Sequence, residues 1–336
     1  MNLPAGSDAP NVAMEGEWPT VAVIIPTLNE ERHIGRCLAG LMSLDYPRDR
    51  VRIRVVDNFS NDRTIEVAKS FGVETMQMPK STIATSRNAG ARGTKEDIVA
   101  FLDADCVPAS SWLRHAVRHF VAADVAAVGS YPGVIAEESN SLQKTWAAIN
   151  RRSGDGVTVV GWLPSANLLV RREALARVGG FNEALTTCED VDLTYRLSAQ
   201  GRILYDPEVL VYHLREPKSF KDLFWKEVWH ARSNFSGITS HGLQWREVPS
   251  LLAPLAFGFG AVAGTMGLFA GSGVAPFGIG LAGFTVMIYS IRALRRTTRF
   301  NMAIAIYVVY FSARFYAAMC ETAKSLRRLS HNSRVG

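Results

Sequence analysis

VAFLDAD, residues 99–105, sets four apolar residues ahead of two carboxylates, Asp103 and Asp105, spaced by one alanine. A short apolar run of this kind reads as a strand buried on both faces, Ile98 to Leu102, that ends in polar residues. Alternate side chains of an extended segment point the same way, so Asp103 and Asp105 are expected to face one ligand at the sheet edge. That arrangement suits a magnesium or manganese ion, which takes hard oxygen ligands and shares its coordination sphere with substrate phosphates. Two aspartates so spaced are also ordinary loop chemistry, and it is their place after a strand that gives them weight.

Working outward, strands alternate with helices. Val21 to Ile25 is a β-branched run stopped by Pro26; Asn29, Glu30 and Glu31 then open a helix whose apolar residues Ile34, Cys37, Leu38, Leu41 and Met42 recur at helical spacing. Val51 to Val56, Val73 to Met78 and Ile98 to Leu102 read as further strands, with helices over Asp62 to Phe71 and Ser81 to Gly93 between them. A helix (Ser111 to Ala122), a strand (Val125 to Ser130), a polar loop reaching Gly161, a strand (Ala166 to Arg171) and a helix (Val191 to Gln200) follow. Arg202 to Tyr205 and Val209 to His213 read as a strand pair. This alternation predicts an α/β domain over residues 20–215 with a mainly parallel sheet covered on both faces. In such sheets ligands bind beyond the carboxyl ends of the strands, so the polar residues after each strand carry the functional information.

The composition changes near Trp245. From Pro249 to Ile291 Gly, Ala, Leu and Phe run almost without charge, and Leu251 to Ala270 and Val274 to Ile291 are each near the ~20 residues that cross a bilayer. Met302 to Cys320 is also apolar but carries Arg314, and the segment reads either as a third crossing or as a helix in the interface; the membrane region is thus 249–330, with two to three helices. The net charge of +6 is concentrated beside these stretches, at Arg292, Arg295, Arg296 and Arg299 and at Lys324, Arg327, Arg328 and Arg334, as for an anionic lipid surface. The globular part has no basic stripe with interleaved aromatics, which argues against nucleic acid as a partner. Residues 216–248 contain an amphipathic stretch, Lys218 to Phe235, that reads as a core helix or as an interfacial one. The four cysteines form no close pair and read as free thiols of a reducing compartment, and residues 1–19 read as a lead-in without the pattern of a signal peptide.

Three more groups bear on chemistry. Asp57, at the tip of the second strand, could accept the N3 proton of a uracil-like base, or with Ser60 could simply shape the turn. Arg87 could neutralise a diphosphate or stack on a base, or form a salt bridge. Glu189, Asp190 and Asp192 open a helix, where acidic residues are favoured by the macrodipole alone. Transfer with inversion needs one carboxylate to take a proton from the attacking hydroxyl while a metal holds the departing phosphate, and the two acidic clusters offer one for each task.

Taken in order, P-T-L-N-E (26–30), V-D-N-x-S-x-D (56–62), R-N-x-G (87–90), D-A-D (103–105), G-G-F-N-E (179–183) and E-D-V-D-L-x-x-R-L (189–197) resemble the family 2 glycosyltransferases of the GT-A fold. The resemblance covers about Val21 to His213. It implies inverting, metal-dependent transfer from a nucleotide-diphosphate sugar. Asp57 would bind the base and Asp103 lie nearer the ribose. Asp105, joined by His213, would hold a Mg2+ or Mn2+ ion, and Asp190 would be the catalytic base. Pro26, Asn29, Glu30, Asn58, Arg87 and Glu189 would line the substrate site. The processive members carry Q-x-x-R-W and many more spans, and the departure from both favours addition of one sugar; Trp229 to Arg232 lies in a comparable place before the spans, which brings Arg232 into the substrate set. The expected acceptor is a lipid-linked or glycan substrate at the cytoplasmic face of the inner membrane. A polyprenyl-phosphate sugar synthase and a non-catalytic scaffold of a polysaccharide assembly complex are the competing readings.

Overall fold

The computed structural model describes residues 18–151, 156–231 and 248–335. They fall into two compact units. Residues 18–138 and 156–216 build a sheet unit, and residues 139–151, 217–231 and 248–335 build a helical one.

The sheet unit is formed by β1 (Val21–Thr27), β2 (Val51–Asp57), β3 (Glu74–Gln77), β4 (Ile98–Leu102), β6 (Val125–Gly129), β7 (Thr158–Val159), β8 (Asn167–Arg171) and β9 (Arg202–Tyr205), in the order β3-β2-β1-β4-β8-β6-β9-β7. Six of these strands run one way and β8 and β7 run against them, so the sheet is mostly parallel as expected. The alternation of β1 explains why its whole length is apolar. Val21, Val23 and Ile25 join one core with Ile34, Leu38 and Leu41 of α1 (Ile34–Met42) and Trp112 and Leu113 of α4 (Trp112–Val117). Ala22 and Ile24 join a second core with Ala84 of α3 (Ile83–Ala91) and with Leu193 and Leu197 of α7 (Glu189–Ser198). Gly90 lets α3 lie directly on the sheet, because a Cβ there would stand 2.4 Å from Ile24 Cγ2 and 2.8 Å from Val56 Cγ2.

Several expectations are corrected. β1 runs past Pro26 to Thr27; the proline is tolerated because the β4 ladder already ends at Ile24. The two late strands do not pair with each other. β9 lies beside β6, whereas β10 (Val211–His213) pairs antiparallel with β5 (Cys106–Pro108). Buried Asp206, bonded to His119 (2.6 Å) and Arg118 (2.9 Å), turns the chain between them. Within the expected polar loop lies α5 (Ser141–Asn150), started by a reciprocal capping box of Asn140 and Gln143. Residues 1–17 and 232–247, including the expected contact Arg232, lie outside the described residues.

In the helical unit α8 (Phe220–Ala231) precedes α9 (Val248–Phe269), α10 (Val274–Ala293) and α11 (Phe300–Val335). α9, α10 and the stretch Phe300–Lys324 are long and apolar enough to cross a membrane. Glycines at 260, 264 and 278 bring α9 and α10 into backbone contact. α11 packs with α5 and α8 through Leu142, Trp146, Leu223, Ala303 and Ile306, and further along through Val228, Ala231, Ala313 and Ala317. Arg314 is not left alone: its guanidinium donates to the buried Glu227 carboxylate of α8 at 3.0 and 3.1 Å.

Replacing Gly90 with Val should force α3 off the sheet and cost about 1–3 kcal/mol of stability, the range for overpacking a tight interior. A melting temperature equal to that of the wild type would show that α3 has room to spare.

Candidate active site

The loops after β1 and β2 are built from each other. The Asn29 N–H donates to Ser60 Oγ at 2.8 Å, and Asn29 Oδ1 accepts from the Asn61 N–H at 2.9 Å. The Glu30 N–H donates to Thr64 Oγ1, while the Glu30 carboxylate accepts from Arg215 (2.6 Å) and His33 (2.9 Å). Asn58 clasps the strand leading to α3, accepting from the Ser81 N–H at 2.7 Å and donating to the Ser81 carbonyl at 2.8 Å. Pro26 is buried within β1. These four residues, expected to line the substrate site, thus spend their polar groups or their bulk on the scaffold. Asp57 is fully buried and accepts from the Ser60 N–H at 3.1 Å and the Thr27 hydroxyl at 3.3 Å, so its turn-shaping role is real. Next to it Phe59 holds φ +67°, costly for a bulky residue, with 62% of its surface exposed.

The D-A-D segment is not extended. A tight turn closes from the Cys106 N–H to the Asp103 carbonyl at 3.0 Å and sends the two carboxylates to different partners. Asp103 meets Arg87. Asp105 meets His213, whose Nε2 lies 3.6 Å from Asp105 Oδ1, and the Asp105 carbonyl accepts the Leu214 N–H at 2.8 Å. The β5–β10 pair brings Cys106 opposite His213, and ligand atoms of Asp105, Cys106 and His213 all lie within 4.8 Å of one another. A carboxylate oxygen, an imidazole nitrogen and a sulfur make a donor set that fits a divalent cation. Burial, and after it the charges of Asp105 and Asp103, raise the Cys106 thiol well above its ordinary range, which keeps the sulfur protonated near neutral pH. Sequence reasoning missed Cys106, because strand alternation would have aimed it away from its neighbour.

Arg87 joins the two acidic motifs. It is 2% exposed and donates to Asp103 Oδ1 at 2.8 Å and to Glu189 Oε1 at 2.7 Å, with its guanidinium 5.4 Å from the Phe181 ring centroid. Instead of facing a diphosphate or a base, it is a buried bridge, and Glu189 is its counter-ion. The remaining motif residues hold the loop before α7. Asn88 accepts the Phe181 N–H (2.8 Å) and donates to the Phe181 carbonyl (2.9 Å), and Arg196 donates to the Val178 and Gly180 carbonyls at 2.7 and 2.8 Å. Cys188, at φ +63°, then turns the chain into α7. Asp190 is left half-buried, accepting from the backbone N–H groups of Val191 (2.8 Å) and Ser165. Burial and the neighbouring Glu189 charge push its carboxyl up to about 7 against the opposing effect of Arg87. A carboxylate so poised is suited to accept a proton near neutral pH.

With this geometry in place, comparison with known proteins is informative. The sequence profile of Glycosyl transferase family 2 matches residues 22–178. Glycosyltransferase AglE of Haloferax volcanii is 30% identical over 61% of this chain and 70% of its own length. The chain belongs to glycosyl transferase family 2 and is a glycosyltransferase. A beta-monoglucosyldiacylglycerol synthase of Trichormus variabilis is 29% identical over 66% of this chain, which spans about half (49%) of that relative's length. The structure of mannosyltransferase PcManGT from Pyrobaculum calidifontis, in complex with GDP-Man and Mn2+, matches 88% of this chain and 87% of its own with a TM-score of 0.60 at 20% identity, which shows the GT-A-like fold.

If the Arg87 bridge holds the site together, Arg87→Met should cost about 3–5 kcal/mol, because it leaves buried Glu189 without its counter-ion. Adding Glu189→Gln should recover part of that loss. Denaturant unfolding measures both, and an Arg87→Met protein as stable as the wild type would rule the bridge out as a structural element.

Proposed function

We propose that the chain transfers a single sugar, with inversion, from a nucleotide-diphosphate sugar, a UDP-sugar being the expected donor, to a membrane-associated acceptor such as a polyprenyl-linked glycan of envelope or exopolysaccharide synthesis. The observation that carries this reading is the position of Asp190, a mostly buried carboxylate raised to about 7 and linked through Glu189 and Arg87 to the Asp103–Cys106 turn. Asp57 accepts the imide proton of the base at the tip of β2. Asp103, oriented by Arg87, faces the ribose. Asp105 and His213 would hold a Mg2+ or Mn2+ ion, which when bound supplies positive charge to the departing diphosphate. Asp190 takes the proton of the acceptor hydroxyl as that oxygen attacks the anomeric carbon, the bond from that carbon to the phosphate oxygen breaks with its electron pair leaving on the nucleoside diphosphate, and the proton stays on the Asp190 carboxyl until solvent takes it.

The membrane assignment rests on the apolar helices and the basic residues beside them. The α9–α10 hairpin returns Arg292, Arg295, Arg296 and Arg299 to the cytoplasmic headgroups of the inner membrane, the side on which nucleotide sugars are made. α11 lies at the level of α8, because the two pack along Leu223, Val228 and Ala231 while Trp225 and Trp229 of α8 stay half-exposed. A helix carrying Lys221, Asp222 and Lys226 suits the interface, which supports an interfacial position for this part of α11 as well.

Asp190→Asn should lower turnover by roughly 100-fold with donor affinity near that of the wild type. In the wild type the rate should rise with pH through about 7, since only the ionised carboxylate accepts the proton. The same raised value means that Asp190 favours the fold most at acid pH, and that this contribution is lost as pH rises through about 7. A variant that keeps full turnover, or one that loses nucleotide binding instead, would remove Asp190 as the base.

Asp105→Ala should abolish transfer and weaken Mn2+ binding, read by electron paramagnetic resonance, while the melting curve changes little. Transfer that persists in excess chelator would sink the metal assignment.

A further inference from the structure

The strand order separates the two halves of the sheet edge. β2, with Asp57 at its tip, lies on one side of β4, and β8, β6 and β9 lie on the other. On the second side stands an aromatic group that the proposed reaction does not yet use. Tyr131 follows β6 by two residues, and its ring meets Trp162 edge-on at 5.5 Å (89°) and Tyr205 of β9 at 5.9 Å. Trp162 is 37% exposed although its neighbour Leu163 is fully buried.

The backbone that leads into Tyr131 is held from below. Asn167 accepts from Trp112 Nε1 at 2.8 Å and donates to Ser130 Oγ at 2.9 Å, and Ser130 donates to the Val209 carbonyl at 2.7 Å, which fixes the residue before Tyr131. On the other flank, three residues beyond Trp162, the backbone N–H of Ser165 bonds to Asp190. Three residues of chain span on the order of 10 Å at most. Whatever presents a hydroxyl to Asp190 from this side therefore passes within reach of Trp162.

We propose that Tyr131 and Trp162 form the acceptor subsite and that they receive a pyranose ring, so that the acceptor is a glycoside and not a bare lipid alcohol or lipid phosphate. The proposal rests on the transferase reading above and sharpens it. The indole of Trp162 offers a flat apolar face, with Tyr131 perpendicular beside it as a wall, which complements the C–H face of a sugar ring whose hydroxyls point outward in the ring plane. A lipid phosphate would call for cations here, yet the residues flanking the platform, Ser130, Gly161, Leu163 and Pro164, carry no charge. A single perpendicular contact with Tyr131 takes up at most one of the two faces of Trp162.

The test uses the full chain in lipid nanodiscs and measures binding of octyl β-glucopyranoside, octyl β-galactopyranoside and octyl α-mannopyranoside against octyl phosphate and 1,2-dioctanoylglycerol. Saturation-transfer NMR shows which protons touch the protein. At least one glycoside should bind through its ring protons, Trp162→Ala should weaken it by about five-fold or more, and Trp162→Phe should stay within about two-fold of the wild type. Octyl phosphate and dioctanoylglycerol should be indifferent to both changes. The subsite is overturned if no glycoside binds the wild type, if Trp162→Ala binds it equally well, or if the two lipid probes lose the same factor. Binding of a fluorescent UDP analogue to the same samples reports on the donor site separately, so a failure of the transferase reading is not confused with a failure of the subsite.

Discussion

One buried guanidinium connects segments that are far apart in the chain. Arg87 sits between Asp103 and Glu189, sixteen and 102 residues away, and its position depends on α3 lying flat on β1 and β2 at Gly90. A single cation between two carboxylates leaves one negative charge over, and Asp190 lies beside it. Burial raises Asp190 most and the Glu189 charge adds to it by more than Arg87 takes away, so the arrangement that anchors the acidic motifs does not offset the burial that keeps the next carboxylate from being a strong acid. Removing Arg87 would disturb the orientation of Asp103 and the protonation of Asp190 together, which is why structure and chemistry are hard to separate at this position.

The helical unit obeys a different constraint. Its helices have little polar surface to spend, and among the described residues they meet through apolar clusters, through close backbone approaches at glycines and through the charged pair of Arg314 with Glu227. Burial alone would raise the Glu227 carboxyl, but Arg314 and His230 outweigh it and hold it near 2. The pair cancels the charge that made the third apolar stretch ambiguous to read. It also gives α8 and α11 a fixed register, since a long cation in an apolar setting finds few alternative partners.

Much of this architecture was legible in the chain before any coordinates. Apolar runs closed by polar residues, as at Val21 to Thr27 and Ile98 to Asp103, identify buried strands because both faces of the sheet are covered. The spacing of Ile34, Leu38 and Leu41 identifies a helix because one face is buried, and the long uncharged stretches identify helices of membrane length. The residue types of the site, carboxylates after strands and an arginine on the helix between them, were legible for the same local reason. Asp103 and Asp105 are the clearest failure of that logic. Alternation would have set them side by side, and the turn closed at Cys106 sends them to separate partners instead.

What tertiary structure alone decided is pairing. Nothing local says that β10 crosses to β5 and delivers His213 to Asp105, since the sequence between Cys106 and Val211 is compatible with many strand orders. Nor does a local pattern distinguish an arginine that binds substrate from one buried against Glu189, or show that the segment at 139–150 is a capped helix of the helical unit. Periodicity reports which face of an element is buried, because that is a property of neighbouring residues. The identity of the partner across the gap depends on how the whole chain closes, and that is settled only when burial, charge and backbone hydrogen bonding are satisfied everywhere at once.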